Sequence, residues 1–311
     1  MSVPTALLND GNQIPVIAFG TGSKLKYKDV TAVVEQALEA GFSHIDTAAH
    51  YANEQFVGRA LRESGLARAD VCVTGKYGGR DDDVQGAIRT TLRKLGLTHL
   101  DLYLVHHPSL IVNDDVEGLW GRMVEIRTAG LAKSIGVSNF TLELLQRVVK
   151  TGMLPAVNQI QLHPYNYASW KEVLEFSAKH GIVTEAYGSL APITTYPGGP
   201  VDPVLSTIAR RIGGTPGQVI FKWVHAKGFV VVTTTERRTR LDEYLAVVHL
   251  PDLTKDEIDA IDRAGALGPP SSALVRVREL VRTEGARRAA LGTMVVLSVV
   301  LFLHQLGCLA L

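Results

Sequence analysis

In the stretch GFSHIDTAAHYANE (41–54) an apolar run ends on a carboxylate, Asp46, and a phenol, Tyr51, follows five residues later with His50 beside it. Further along, VCVTGKY (71–77) carries Lys76 near its end, and LDLYLVHHP (100–108) ends on His106 and His107. These residue types suit delivery of a proton to a carbonyl oxygen. A tyrosine with its ordinary pKa of about 10 is a poor acid at neutral pH. A buried ammonium such as Lys76 would favour the phenolate and lower that pKa. Asp46 would keep the lysine charged and in place. A histidine would donate a hydrogen bond to the substrate oxygen as charge develops there. The set offers no metal site, no activated serine and no Schiff-base logic. Reduction of a carbonyl needs hydride, which no side chain supplies, so a nicotinamide cofactor is implied.

Eight apolar runs must position these groups: VIAFGTG, FSHIDTA, VCVTGKY, LDLYLVHHP, AKSIGVSNF, AVNQIQLHP, IVTEAYGSL and FVVVTTT. Amphipathic stretches lie between them. DVTAVVEQALEAG places Val30, Val33, Val34, Ala37 and Leu38 on one face and ends at Gly41. DDDVQGAIRTTLRKLG opens with acids and carries Lys94 near its end, as the helix dipole favours. TLELLQRVVKTG follows a candidate cap, Thr141. LLNDGNQIPVI reads as a hairpin turning at Asn9, Asp10 and Gly11. Strands alternating with helices predict a parallel sheet covered on both faces. Closed on itself it is a (β/α)8 TIM barrel with an N-terminal β-hairpin. A doubly wound open sheet is the alternative, but no GxGxxG turn is present. A barrel of this kind puts its active residues at the C-terminal ends of the strands. That selects Asp46, Lys76, His106 or His107, Ser138, Asn139, Gln159 and Tyr187.

The 311 residues carry 32 basic and 31 acidic side chains, a balance that argues against nucleic-acid binding. Two cysteines, Cys72 and Cys308, with no CxxC, argue against a disulfide framework or a zinc site and suit a reducing compartment. No secretory signal is expected from the opening MSVPTALLNDGNQIP. Residues 289–311 contain no Asp, Glu, Lys or Arg, and their 23 residues exceed the ~20 that span a bilayer as a helix. Arg276, Arg278, Arg282, Arg287 and Arg288 precede them, a flank that favours the cytoplasmic side. The expected organisation is a barrel over 1–265, a basic linker over 266–288 and a transmembrane tail anchor, an apolar C-terminal helix, over 289–311. The catalytic part would be a cytoplasmic monomer, possible membrane attachment coming through the tail. A helix packed on the barrel is the alternative for that tail.

The motifs GFSHIDTAAHYANE, VTGKY, LDLYLVHHP, IGVSNF, VNQIQLHP and EAYGSL, in this order from about residue 7 to about 263, resemble the signature of the aldo-keto reductases. Any one motif is weak; six in register are specific. The later stretch VVTTTERRTRLDEYL resembles fungal members of the 2-dehydropantolactone and α-keto amide reductase kind. The resemblance implies that Tyr51 is the proton donor, Lys76 its modulator and Asp46 the partner of Lys76. His106, two residues before Pro108, would orient the carbonyl. It places Ser138, Asn139 and Gln159 on the nicotinamide carboxamide and Tyr187 on the ring face. Arg240 would meet the adenosine 2′-phosphate and Glu243 the adenine. Thr21, Gly188, Leu190, Thr234 and Thr235 are further cofactor-binding candidates, and Tyr77 and His107 would line the substrate pocket. The cofactor implied is NADPH, with NADH possible, and the substrate is a small aldehyde or ketone, including α-dicarbonyls and keto lactones.

Three departures from the family pattern matter. Thr234 stands where many members carry a lysine near the 2′-phosphate, with Arg237 and Arg238 as compensating cations. Tyr244 stands where an asparagine is common. SLIVNDDVEGLW, after Pro108, is short beside the long loop that roofs the pocket in many relatives, which implies an open site. Plainer readings stand beside these. Asp46 and Lys76 alone would read as a structural ion pair, Ser138 and Asn139 as a helix cap, and His163 and His180 as structural or solvent-facing. The loop TTYPGGPVDP (194–203) would be a turn-rich connection or a clamp on the cofactor. Arg237, Arg238 and Arg240 would be a solvated helix start, although arginine there opposes the dipole and points to a nearby anion. For the whole chain, an NADPH-binding sensor or regulatory subunit with little turnover, like the potassium-channel β-subunits, is the alternative function. A lyase or isomerase without nicotinamide is disfavoured by Tyr187 and the Ser138, Asn139 and Gln159 set.

Overall fold

A hairpin opens the chain because Gly11, at φ +87°, turns it where a side chain would be strained. The computed structural model describes residues 3–79 and 83–270. Strands β1 (Thr5–Leu7) and β2 (Gln13–Pro15) pair antiparallel, with Ala6 opposite Ile14. Leu8 and Ile14 are buried against Leu102, Leu104, Val157 and Val230. The hairpin thus closes the end of the barrel at which the strands begin.

The eight expected runs become β3 (Ile17–Gly20), β4 (His44–Asp46), β5 (Cys72–Tyr77), β6 (Leu100–Val105), β7 (Ala132–Ser138), β8 (Val157–Gln161), β9 (Val183–Tyr187) and β10 (Val230–Thr233). They form one closed barrel in the order β10-β3-β4-β5-β6-β7-β8-β9, every neighbour parallel. Side chains alternate along each strand. Ile45, Val73, Tyr77, Tyr103 and Val105 pack outward into the layer beneath the helices. Their neighbours Asp46, Lys76 and Leu104 turn inward. Burying a core of this kind, at ~25 cal/mol per Å² of apolar surface, is the main drive to fold.

The helices are α1 (Thr31–Ala40), α2 (Glu54–Glu63), α3 (Val84–Leu95), α4 (Val116–Thr128), α5 (Leu142–Lys150), α6 (Lys171–Lys179), α7 (Ala191–Thr194), α8 (Val201–Ile212), α9 (Pro216–Ala226), α10 (Arg238–Leu245) and α11 (Lys255–Ala266). The expected stops and starts are in place. α1 ends on left-handed Gly41, Asp83 accepts from Gly86 N at the start of α3, and Thr141 accepts from Leu144 N at the start of α5.

The expectation of a transmembrane helix is corrected. Among the described residues no helix is long and apolar enough to cross a membrane. These helices are short, and most spend one apolar face on covering the barrel, as in α5, where Leu145 and Val148 are buried beside exposed Glu143 and Gln146. Residues 289–311, to which the tail anchor and apolar C-terminal helix were assigned, lie outside the described residues.

Candidate active site

The strand ends converge on a cleft of about 680 Å³. Its wall includes Gly20, Asp46, Tyr51, His106, Ser138, Asn139, Gln159, Tyr187, Gly188, Leu190, Thr234 and Thr235. Lys76 lies under this surface, fully buried. It donates to Asp46 Oδ1, to the Thr47 carbonyl at 3.3 Å and to the Tyr51 hydroxyl at 3.4 Å. A lone ammonium at this depth would cost several kcal/mol. Burial does act against its charge, but Asp46 and then Tyr51 outweigh it, and the lysine pKa stands above its ordinary value.

Tyr51 arrives by a short route. After β4 a single 3-10 turn, Ala49–Tyr51, folds the ring back over Lys76. Gly22 lets the ring sit there, since a β-carbon at that position would fall 2.8 Å from Tyr51 Cζ. Burial raises the tyrosine pKa; the Lys76 charge pulls it down but does not win. The expected acidifying effect of Lys76 is therefore present as a partial offset, and the phenol is held protonated, as a proton donor requires. The His106 ring meets Tyr51 edge-on, centroids 5.4 Å apart. Burial first, then the Lys76 charge and the neighbouring His50 and Lys26, push its pKa down to about 3. At neutral pH it is an uncharged imidazole.

A polar chain runs around the rim. Tyr187 donates its hydroxyl to Asn139 Oδ1 at 2.9 Å. Asn139, at a left-handed φ of +63°, donates from Nδ2 to the His106 carbonyl and to Ser138 Oγ. Ser138 Oγ donates to the Gln159 carbonyl at 2.8 Å, and Gln159 Nε2 donates to Asp46 Oδ2 at 2.9 Å. Ser138 and Asn139 do not cap the next helix; Thr141 does.

Other expected residues fall elsewhere. Tyr77 is a correction: one residue from Lys76, it faces the opposite side of β5 and is buried in the outer core. His107 is exposed, accepts from Ser109 N at 3.1 Å and is not part of the cleft wall. Thr21 sits behind the wall, donating to the Asp46 carbonyl. Arg240 donates from Nη1 to both Glu243 oxygens at 2.6 Å, and Glu243 also accepts from Thr215. Neither lines the cleft, whereas Arg237 does. Sequence reasoning missed Gly22, Lys26, Gln161 and Ser189 on the wall. Gln161 was within reach, being two residues from Gln159 on the same strand. No residue of the segment after Pro108 lines the cleft between His106 and Ser138, so the site has no roof from that side. That segment is instead pinned to α5, where Arg147 bonds Asp114 and Glu117.

Residues 16–266 match the Aldo/keto reductase family, and the chain belongs to that family. An NAD/NADP-dependent indole-3-acetaldehyde reductase from Schizosaccharomyces pombe is 37% identical, the match covering 83% of this chain and 93% of that one. A methylglyoxal reductase from Salmonella typhimurium is 36% identical over 86% of this chain and 98% of its own. The crystal structure of a Bombyx mori aldo-keto reductase in complex with NADP matches with a TM-score of 0.77 at 32% identity, over 85% of this chain and 93% of that one. The protein is an NAD(P)H-dependent oxidoreductase that reduces carbonyl groups.

Proposed function

We propose that Tyr51 gives its phenolic proton to the substrate carbonyl oxygen, with His106 donating a second hydrogen bond to that oxygen. Lys76 stabilises the phenolate left behind, and Asp46 holds Lys76 charged. The carrying observation is the Tyr51 hydroxyl, 3.4 Å from Lys76 Nζ and beside the neutral His106 ring at the cleft floor. As the proton leaves, the tyrosine becomes an anion beside a fixed cation, which is the moment at which Lys76 is worth most. The assembled acid–base set argues for turnover over a sensor role.

The residues present fit a nicotinamide dinucleotide. Ser138, Asn139 and Gln159 bring a hydroxyl and two side-chain amides to the cleft wall where a carboxamide would sit, and the half-buried Tyr187 offers a ring face. Thr234 Oγ1 is buried in the wall with no protein partner among the described residues, an orphan that a ligand hydroxyl or phosphate would satisfy. At the far end α10 begins with Arg237 at its cap, has no acid in its first turn and has Arg240 within it, a setting for the 2′-phosphate. The bound cofactor supplies the hydride to the carbonyl carbon. The side chains here bind, orient and move the proton.

For substrate we propose small aldehydes and α-dicarbonyls, with keto lactones, keto esters and keto amides as further classes. Support comes from the cleft wall, to which the segment after Pro108 adds no residue, and from the activities for which the two relatives above are named. The test is a spectrophotometric assay of NADPH oxidation against indole-3-acetaldehyde, methylglyoxal and representative keto lactones, esters and amides. Oxidation with none of them, by folded enzyme shown to bind NADPH, would refute the proposal.

A further inference from the structure

The barrel interior beneath the cleft holds a second carboxyl group that the proton relay does not use. Glu185, in the middle of β9, is fully buried. Its Oε2 accepts from Gln159 Nε2 at 2.7 Å, and the same nitrogen donates to Asp46 Oδ2 at 2.9 Å. Its Oε1 is buried with no partner among the described residues. Two carboxyl groups therefore share one amide nitrogen, while Lys76, the one ammonium in reach among the described residues, is bonded to Asp46.

We propose that Glu185 is a positioning residue for the cofactor: by accepting from Gln159 it turns that amide's carbonyl oxygen toward the nicotinamide. The argument is one of counting donors. Gln159 Nε2 has two hydrogens, and Asp46 and Glu185 take one each. The remaining hydrogen-bonding atom, Oε1, then presents an acceptor to the cleft, which suits the N–H of a carboxamide. With Asp46 alone as acceptor the second N–H would be free and the amide less firmly fixed. The surroundings favour its protonated form over the carboxylate. Facing Glu185 are Asp46 on β4, Lys76 and the partly buried thiol of Cys72 on β5, uncharged Gln159 on β8 and apolar Val230 on β10. A buried carboxylate with one oxygen unbonded and a second carboxylate nearby is held less readily than the acid. Burial first, then Asp46, lifts its pKa to about 7.

The inference rests on Gln159 as a carboxamide-holding residue, and the experiment separates the two. NADPH affinity of the apo-enzyme is measured by fluorescence titration, and Tm is followed from pH 5 to pH 9. Glu185→Leu, which removes the acceptor, should weaken NADPH binding about three- to tenfold, the worth of one hydrogen bond. Glu185→Gln keeps an acceptor and should bind within about twofold of wild type. Glu185→Met serves if the leucine variant does not fold. A carboxyl whose pKa is raised on folding stabilises the fold at low pH and loses that contribution as pH rises through about 7. The Tm of Glu185→Gln relative to wild type should therefore climb by several degrees from pH 5 to pH 9. Unchanged affinity in Glu185→Leu, or as large a loss in Glu185→Gln, overturns the proposal; a Tm difference independent of pH would overturn the raised pKa. Gln159→Leu is the control. If it binds NADPH like wild type, the reading of Gln159 is what fails. If it binds weakly while Glu185→Leu does not, only the role of Glu185 falls.

Discussion

Lys76 Nζ stands 3.4 Å from the Tyr51 hydroxyl and is bonded on its other side to Asp46, all three side chains being buried or nearly so. The lysine thus faces the side chain it is paired with and a phenol that is charged only after it has acted. Tyr51→Phe removes the proton and keeps the ring that packs on Gly22. Its kcat should fall by about 10² to 10⁴, the usual worth of a general acid, with NADPH affinity and Tm near wild type. Wild-type kcat in the purified variant would exclude Tyr51 as the donor.

The same relationship separates a structural from a chemical loss. Lys76→Met leaves Asp46 buried without its cation and should cost about 3–5 kcal/mol of stability as well as activity. Asp46→Leu combined with Lys76→Met removes both charges and should recover much of that stability while staying inactive. Denaturant melts and NADPH oxidation on the same samples read both quantities. Recovery of activity in the double variant would show that the pair is only architectural.

The two adjacent histidines give a third expectation. His106 lies on the cleft and touches Tyr51, whereas His107 is exposed and holds Ser109. His106→Ala should lower kcat/KM far more than His107→Ala. With its pKa pushed down to about 3 by burial and neighbouring cations, His106 stays neutral from pH 5 to pH 8. The pH profile of kcat/KM should therefore contain no inflection in that range that His106→Gln removes. Such an inflection, or the reverse ranking of the two alanine variants, would contradict the assignment.

The barrel was legible because its strands are buried on both faces and read as apolar runs, and because each run ends on a polar residue. Asp46 and Lys76 are found by that rule alone, which leaves His106 and His107 open until the family pattern chooses between them. Tyr51 lies beyond a strand and needed the chemistry, or the family pattern, to single it out. What went astray is geometry one residue wide. Tyr77 follows Lys76 in sequence, but strand alternation turns it away from the site. Arg240 and Glu243, three apart on a helix, pair with each other, a contact that their spacing already allowed. Glu185 was visible as a lone acid inside IVTEAYGSL, yet only the folded barrel brings it to Gln159, 26 residues away.

That pairing shapes the last prediction, which concerns cofactor choice. In this structure the Arg240 guanidinium leans on Glu243, while Arg237 faces the cleft and Thr234 replaces a cation expected there. NADPH preference over NADH should thus depend on two arginines at one end of α10. A charge-assisted hydrogen bond to phosphate is worth about 1.5–3 kcal/mol, and about 1.4 kcal/mol is one decade in affinity. Arg240→Ala should raise KM for NADPH by roughly tenfold and hardly move that for NADH. Arg237→Ala should act in the same direction. Steady-state kinetics with both cofactors decides the matter. An equal loss for NADPH and NADH in Arg240→Ala would remove its phosphate role and leave it as the partner that holds Glu243 against Thr215.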